Sequence, residues 1–339
     1  MRKLAFLTWT LTLPLWGQGR SPVAPTPESV QATVREAYEK FKGDTSGKNA
    51  DYIPFLAKVP SNLFGIVGLT TDGQIFTAGD IDYAFSIQSI SKVFTLALAM
   101  EELGPAEVLK KIGCEPTGRP FNAVMAVEDL PGRTGNPFVN AGAIATTSLI
   151  SGPNAAAKWN RILTFYGRAA GSKLSLIDEV YKSEAATNAH NRGIAVLLES
   201  YERIYSEPLE ATDIYTKQCS VGVTAKQLAM MGATLANHGR NPATGEQVIK
   251  RENVPHVLAA MTMAGLYDGS GGWAWHVGLP AKSGVGGGLL AIVPGKGAIV
   301  GFAPPLDQAG NSVKAQKAIA YIAEKLGLNL FSPKSVGLN

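Results

Sequence analysis

The sequence has 339 residues, is 45% hydrophobic and carries a formal net charge of only +4. This length and apolar content suit one large globular domain or two smaller ones, and the small charge gives no electrostatic basis for binding nucleic acid. The four histidines and two cysteines do not have the spacing of a zinc-binding or C-x-x-C motif. We therefore expect chemistry that does not need a metal ion.

The N-terminus has the pattern of a secretory signal peptide. A pair of basic residues is followed by the apolar run Leu4–Trp16, and glycines occupy the −3 and −1 positions before a cleavage point after Gly19. The apolar run is short for crossing a bilayer. We predict a signal peptide over 1–19 and an exported mature chain, periplasmic or secreted and free of the membrane, over 20–339. An uncleaved N-terminal anchor or a misassigned start is the alternative.

The two cysteines would meet an oxidising environment in an exported protein. Cys114 and Cys219 could then form a disulfide, which requires their Cα atoms to lie within about 7 Å. Their separation along the chain leaves this open. We favour buried free thiols, in particular for Cys219.

The first elements after the leader are a helix and a β-hairpin. Thr26 is a candidate N-cap with Pro27 in the first helical position, and Gly43 ends the apolar helical pattern. Two β-rich runs, Leu63–Thr70 and Gln74–Thr77, flank an Asp-Gly turn. This pattern predicts two antiparallel strands.

The stretch Phe85–Met100 predicts a helix that carries a Ser-x-x-Lys motif. Its apolar residues recur at helical spacing, which predicts one buried face. Ser89 and Lys92 are three positions apart and therefore neighbours on a helix, whereas Ser91 points elsewhere. A serine becomes a good nucleophile when a base takes its proton. A lysine can be that base near pH 7 when burial or a nearby cation lowers its pKa.

The middle of the chain predicts a block of helices. Ala141–Ile150, Asn191–Ile204 and Lys226–Ala236 carry apolar residues at helical spacing. A capping-box pattern precedes the last of these segments.

The C-terminal part returns to sheet. We predict strands at Gly272–Val277, Leu289–Val293 and Ala298–Phe302 and a closing helix from about Ser312 to Leu326.

This order of elements predicts an α+β fold in which an antiparallel sheet is flanked by helices and an all-helical subdomain is inserted. The α/β part would comprise about residues 26–100 and 241–330, and the helical part about 101–240. Residues 20–339 would form one domain of these two parts, with the Ser-x-x-Lys motif at the cleft between them.

A Ser-x-x-Lys sequence alone is weak, because most such residues lie on solvated helix faces. The later segment Lys282-Ser283-Gly284 strengthens it, since the two motifs occur together in penicillin-binding proteins and class A β-lactamases. Those enzymes also carry S-x-N or Y-x-N between the two motifs. Neither pattern occurs between Ser89 and Lys282, which argues against a β-lactamase or a peptidoglycan peptidase.

Six ordered segments resemble those of the serine-dependent glutaminases. They are Phe85–Phe94, Asn136–Ile144, Ser183-Glu184 with Asn191, Gln218–Ser220, Gly265–Gly271 and Gly278–Gly288. The resemblance extends over about residues 50–314. It implies a β-lactamase-like fold, in agreement with the predicted element order, and hydrolysis of the side-chain amide of L-glutamine to L-glutamate and ammonia.

The resemblance also implies roles for individual catalytic residues. Ser89 would be the nucleophile that forms an acyl-enzyme, and Lys92 would be the base that takes its proton. Tyr267 would contact the reacting centre and could pass a proton to the leaving amine. The backbone N–H groups of Ser89 and Val285 would form the oxyanion hole.

A wider set of residues would contact the substrate. By the same resemblance they are Tyr52, Ser89, Asn140, Glu184, Asn191, Tyr215, Tyr267 and Val285. The α-ammonium group of glutamine needs a carboxylate such as Glu184. The α-carboxylate beside it needs neutral donors, which Asn and Tyr supply. The family further implies L-glutamine as the small-molecule partner, no cofactor, and assembly into a homo-oligomer, a dimer or a tetramer.

Two alternatives remain at this stage. One is a penicillin-recognising serine hydrolase of the cell envelope, which the fold and the export signal favour. The other is an exported glutamine-binding or scaffold protein that has lost turnover, although Ser89, Lys92 and Tyr267 are intact.

Overall fold

The structure, a computed structural model, describes residues 25–332, so the predicted leader Met1–Gly19 lies outside the described part. Its helices are α1 (Pro27–Phe41), α2 (Ser91–Leu103), α3 (Pro105–Ile112), α4 (Met125–Asp129), α5 (Asn140–Ser148), α6 (Ala155–Ala170), α7 (Asp178–Thr187), α8 (Ala189–Ser200), α9 (Pro208–Cys219), α10 (Ala225–Ala236), α11 (Val254–Ala264), α12 (Ser270–His276) and α13 (Val313–Lys325). Its strands are β1 (Gly65–Thr70), β2 (Ile75–Gly79), β3 (Phe85–Ser86), β4 (Ser175–Leu176), β5 (Val221–Val223), β6 (Ala281–Ser283), β7 (Gly288–Val293) and β8 (Gly297–Phe302). Within these residues, each helix is too short or too polar to cross a membrane.

The main sheet has five antiparallel strands in the order β2-β1-β8-β7-β6. Val300 in β8 lies opposite Val67 in β1 on one side and Leu290 in β7 on the other. The predicted N-terminal hairpin therefore pairs with strands that come more than 200 residues later. This arrangement joins the two ends of the described chain in one sheet.

Both faces of this sheet are buried. Alternate residues of β7 belong to different cores: Leu290 packs with the helical block, whereas Leu289 packs towards α1 and α13. Helix α10 contacts β1, β7 and β8 on one face, and α13 contacts β7 and β8 on the other. The continuous apolar sequence of β7 is the pattern expected of a strand that is covered on both sides. The fold is thus α+β with an antiparallel sheet between helices, as predicted.

Several local predictions are confirmed. The Thr26 hydroxyl accepts a hydrogen bond from the Ser29 N–H at the start of α1. β1 and β2 pair as the predicted hairpin. The capping box of α10 is present in both directions, between Thr224 and Gln227.

Helix α2 is more deeply buried than the sequence pattern predicted. All residues from Ser91 to Met100 are buried, rather than one face only. The helix is enclosed because α3, α5, α6 and α11 all pack against it. Its polar residues find partners inside: the Thr95 hydroxyl lies 2.6 Å from the Tyr166 hydroxyl and 2.9 Å from Gln218 Oε1.

The predicted strand at Gly272–Val277 is wrong, because this segment belongs mostly to helix α12. Alternating tryptophans gave it a strand-like pattern. In the structure Trp273 is buried and its indole N–H donates to Leu279 O at 2.8 Å, whereas Trp275 is 83% exposed. The third strand of the C-terminal part is instead β6, which carries Lys282.

A second, three-stranded sheet in the order β3-β5-β4 was not predicted. Phe85 in β3 lies opposite Val223 in β5, and Ser175 in β4 lies opposite Gly222 in β5. The strands are only two or three residues long, too short for a clear alternating pattern. They fix the segment that leads into α2.

The contact of α13 with the sheet generates a stability prediction. A Cβ on Gly301 in β8 would lie 2.6 Å from Ala315 Cβ and 2.8 Å from Ala315 Cα. We expect Gly301→Ala to lower the free energy of unfolding by about 1–3 kcal/mol, because α13 must move away from the sheet. The measurement is urea or thermal unfolding of the purified variant.

Gly193→Ala is the matched control, since Gly193 lies in α8 and its Cβ would contact nothing within 4 Å. It should raise the unfolding free energy by about 0.5–1 kcal/mol, because alanine is the better helix former. Equal unfolding midpoints for Gly301→Ala and the unchanged protein would contradict this prediction. They would show that α13 can move away from the sheet without loss of stability.

Candidate active site

The segment that leads into α2 forms a sharp turn around Ser89. The Ile87 N–H donates to Val221 O at 2.8 Å, which ties the turn to the small sheet. Gln88, Ser89 and Ile90 then form one 3-10 turn, and α2 begins at the next residue. Gln88 has a φ of +48°, which is uncommon for a residue other than glycine. Ser89 itself is buried, with 6% of its surface exposed.

A glycine-rich loop between β6 and β7 packs directly against the Ser89 turn. A Cβ on Gly284 would lie 2.7 Å from Ile87 O, and a Cβ on Gly286 would lie 2.4 Å from Ser86 O. Only glycine permits so close an approach of two backbones. Because Val285 lies between these two glycines, its backbone is held against the turn.

The Lys92 side chain is buried in the first turn of α2. Its amine donates to Phe138 O at 2.9 Å and to Asn140 Oδ1 at 2.8 Å. Burial lowers the pKa of Lys92 to about 7, and the neighbouring Cys219 and Glu184 oppose this shift. Near neutral pH a large fraction of the amine is therefore uncharged.

Asn140 connects Lys92 to two further polar residues. Its Nδ2 donates to Asn191 Oδ1 at 2.9 Å, and the Tyr215 hydroxyl donates to its Oδ1 at 3.2 Å. Asn140 starts α5, Asn191 lies in the first turn of α8 and Tyr215 lies in α9. Four helices thus contribute to one hydrogen-bonded chain.

Glu184, on α7, is the carboxylate of the site. It is 7% exposed, and its Oε2 accepts a hydrogen bond from Gln88 Nε2 at 3.1 Å. Burial raises the pKa of Glu184 to about 7, which the hydrogen bond from Gln88 and the charge of Lys92 oppose. Tyr52 lies at the rim: its side chain is 52% exposed, yet burial of its hydroxyl and then the charge of Glu184 raise its pKa.

Tyr267 closes the site from the segment between α11 and α12. It is buried, has a φ of +57° and packs its ring 5.0 Å from the Phe121 ring. Burial raises the pKa of Tyr267, and the neighbouring Ser89 and Ser283 hydroxyls oppose the shift. Within residues 25–332 its hydroxyl nevertheless makes no hydrogen bond of good geometry.

Lys282 is a second buried amine beside Tyr267. It donates to Gly265 O at 2.9 Å and to Ser283 O at 2.8 Å, and its nitrogen lies 3.9 Å from the centre of the Tyr267 ring. Burial, and then the charge of Lys92, holds the pKa of Lys282 well below its usual value. The amine therefore ties the backbone just before Tyr267 to strand β6.

The structure brings the residues singled out in the sequence to one place. One hydrogen-bonded chain contains Lys92, Asn140, Asn191 and Tyr215. The other predicted site residues lie beside it, and Tyr52 is the most exposed of them. A cavity of about 610 Å³ is lined by Tyr52 and by Phe121, the residue that packs on Tyr267. It therefore lies beside the rim of this site.

Sequence reasoning gave no role to Gln88, although this residue directly precedes Ser89. Its backbone conformation and its bond to Glu184, 96 positions away, are tertiary features. The one sequence feature that could have pointed to Gln88 was its position directly before Ser89.

A family model for glutaminases matches residues 47–331. The chain belongs to the glutaminase family. The family predicted from the six sequence segments is therefore confirmed, and the protein is an enzyme that acts as a glutaminase. The match to the family model favours this function over that of a penicillin-recognising hydrolase.

Relatives match this glutaminase over nearly its whole length. A glutaminase from Colwellia psychrerythraea is 55% identical over 312 residues, which are 92% of this chain and 99% of the relative. A glutaminase from Brucella canis is 56% identical over 307 residues, or 91% of this chain and 97% of the relative.

Solved structures of glutaminases have the same fold. A probable glutaminase, ybaS, superimposes with a TM-score of 0.88 at 52% identity and covers 89% of this chain and 98% of its own. A Bacillus glutaminase studied in 4.3 M NaCl gives a TM-score of 0.81 at 32% identity, over 89% of this chain and 99% of its own.

The two cysteines differ in exposure, which predicts how each reacts with a thiol reagent. Both are free, and Cys219 is buried 4.0 Å from the Ser91 hydroxyl, where burial raises its pKa to about 12. Cys114 is only half-buried. We expect a thiol reagent to label one cysteine per native chain, at Cys114, and two after unfolding in denaturant. Cys114→Ser should abolish the native labelling, and labelling of two thiols in the native state would contradict the buried position of Cys219.

Proposed function

We propose that this glutaminase hydrolyses L-glutamine through an ester on Ser89. The Ser89 oxygen attacks the side-chain amide carbon, its proton passes to Lys92, and a tetrahedral intermediate forms. The C–N bond then breaks, the nitrogen takes up a proton and leaves as ammonia, and a γ-glutamyl ester remains. Water attacks this ester, Ser89 regains its proton and L-glutamate is released.

The observation that carries this proposal is the hydrogen bonding of Lys92. A neutral amine has two N–H donors and one lone pair. Both donors are used by uncharged oxygens, those of Phe138 and of the Asn140 side chain. The lone pair is therefore left to accept a proton, and Ser89 is one turn away in the chain. Burial supports the neutral form, since it lowers the pKa of Lys92 to about 7.

Two backbone N–H groups support the proposed oxyanion hole. Neither the Ser89 N–H nor the Val285 N–H donates a hydrogen bond within the described part of the chain. Both belong to the two backbones that Gly284 and Gly286 allow to touch. Free N–H donors in a buried site are the usual means of stabilising the negative oxygen of a tetrahedral intermediate.

Tyr267 is the proposed proton donor to the leaving nitrogen. Burial raises its pKa, so its hydroxyl keeps its proton at neutral pH. That hydroxyl adjoins Ser89 and lacks another good partner within residues 25–332. It is thus available to the nitrogen that departs from the intermediate.

The α-groups of glutamine fit the other end of the site. Glu184 supplies a carboxylate for the α-ammonium group, and the rim hydroxyl of Tyr52 lies near it. Asn191 uses its Oδ1 to accept from Asn140, so its Nδ2 can donate to the α-carboxylate. Tyr215 becomes the second neutral donor on this side when its hydroxyl turns from Asn140 Oδ1 to the α-carboxylate.

The first test compares two serines of the same turn. We expect Ser89→Ala to lower the rate of ammonia release from L-glutamine by at least about a thousandfold, because the nucleophile is lost. Ser91→Ala is the matched control, since Ser91 is also buried but its hydroxyl faces Cys219 at the end of α9. It should keep most of its turnover.

Trapping adds a second measurement. Mass spectrometry of acid-quenched unchanged enzyme should find a γ-glutamyl adduct, absent from Ser89→Ala. Turnover of Ser89→Ala close to that of Ser91→Ala would overturn the nucleophile assignment.

The pH dependence separates the two buried groups. The active form needs Lys92 neutral and Glu184 ionised, so both must lose their protons, and both titrate near pH 7. As the pH falls below about 7, kcat/KM should therefore drop more than tenfold per pH unit. In the substrate complex the α-ammonium group keeps Glu184 ionised, so kcat should drop by at most tenfold per unit.

Glu184→Gln provides the control. It should raise KM and reduce the slope of kcat/KM to that of one group. Equal slopes of kcat and kcat/KM in the unchanged enzyme, or a flat profile from pH 6 to 9, would contradict these roles.

Two sequence expectations stay predictions. We propose export from the leader pattern of residues 1–19 and homo-oligomer formation from the family. The first depends on the leader and the second on contacts between chains, so the contacts within residues 25–332 test neither.

A further inference from the structure

A second cavity lies beside the loop that follows α1 and shares the wall from Gly47 to Asp51 with the first cavity. Its volume is about 530 Å³. Its walls are the loop from Lys42 to Asp51, the segment at Ser61 and Asn62, and Lys314 in the first turn of α13. Most of these residues are polar, and three are lysines.

Lys314 differs from the other lining residues because it is buried, with 2% of its surface exposed. Its ammonium has one hydrogen bond, a long contact of 3.5 Å to Asn62 O, and lies 5.4 Å from the centre of the Phe64 ring. Within the described chain it forms no direct ion pair, although the charges of Asp44 and Asp80 act on it from further away. An ammonium with one weak acceptor and no carboxylate in contact is poorly compensated for the water it has lost.

The other charges around the cavity are already paired. Lys42 lies 2.5 Å from Glu39, and Lys48 lies 2.5 Å from Asp51. Asp44, which also lines the cavity, lies 2.5 Å from Lys317 on α13.

These pairs leave Lys314 as the lining cation without a directly bonded carboxylate among residues 25–332. Asp44 acts on it only through its charge, because Lys317 and Ser46 donate hydrogen bonds to the Asp44 oxygens.

We propose that this cavity binds a small oxyanion, a carboxylate or a phosphate, with Lys314 as its charged donor. An oxyanion would give the ammonium the short, charge-assisted hydrogen bonds that the protein does not supply. The uncharged side chains of Thr45 and Asn62 line the same space. The volume exceeds that of inorganic phosphate, so it also admits a small dicarboxylate.

The test measures binding directly and does not depend on turnover. Sodium phosphate and sodium malonate are titrated by calorimetry, and Tm is followed against sodium chloride at equal ionic strength. We expect a concentration-dependent rise in Tm beyond that in chloride. Lys314→Met should weaken binding by at least about tenfold, because a charge-assisted hydrogen bond is lost, whereas Lys314→Arg should retain it.

Lys42→Met is the matched control, since Lys42 lines the same cavity but is exposed and paired with Glu39. It should bind as the unchanged protein does. A response to phosphate only, or to malonate only, supports the site and identifies the class of ligand. The proposal is overturned if neither anion exceeds chloride. It is also overturned if Lys314→Met lowers the basal Tm but keeps the anion response, since the anion would then be bound elsewhere.

Discussion

The Lys92 amine lies inside the protein, and the arrangement of the site depends on how that burial is tolerated. A charged ammonium without an ionised partner costs several kcal/mol in such an environment. The acceptors provided are uncharged, the Phe138 carbonyl and the Asn140 amide oxygen. They satisfy the two donors of a neutral amine without stabilising the charge as a carboxylate would. The core around α2 is thus what lowers the pKa of this lysine and supports its proposed role as a base.

The same amide links the reacting end of the site to the substrate-binding end. Asn140 accepts from Lys92 and Tyr215 and donates to Asn191. These residues come from α2, α5, α8 and α9, so the helical block has to be assembled before the chain of bonds exists. A shift of any of the four helices would change both the orientation of the base and the donors offered to the α-carboxylate.

Two of the five non-glycine residues with positive φ among residues 25–332 lie next to Ser89. Gln88 and Tyr267 have positive φ values although neither is glycine. Such conformations cost on the order of 1–3 kcal/mol each and persist only when the surroundings enforce them. Here the glycine loop presses on the Ser89 turn, and Lys282 ties the Gly265 carbonyl, just before Tyr267, to strand β6. This packing fixes the backbone that carries the Ser89 and Tyr267 hydroxyls.

The sequence determined the local elements and the family. Thr26 and Pro27 start a helix, the Asp-Gly turn sets a hairpin, and ordered motifs identify the residues of the site, because caps, turns and motifs depend on neighbours within a few positions. Only the tertiary structure decided that the tryptophan-rich segment is helical, since burial of Trp273 outweighs its alternating pattern. It also decided the lowered pKa of Lys92. Burial and hydrogen-bond partners come from residues tens of positions away, and a pKa follows from those surroundings rather than from residue type.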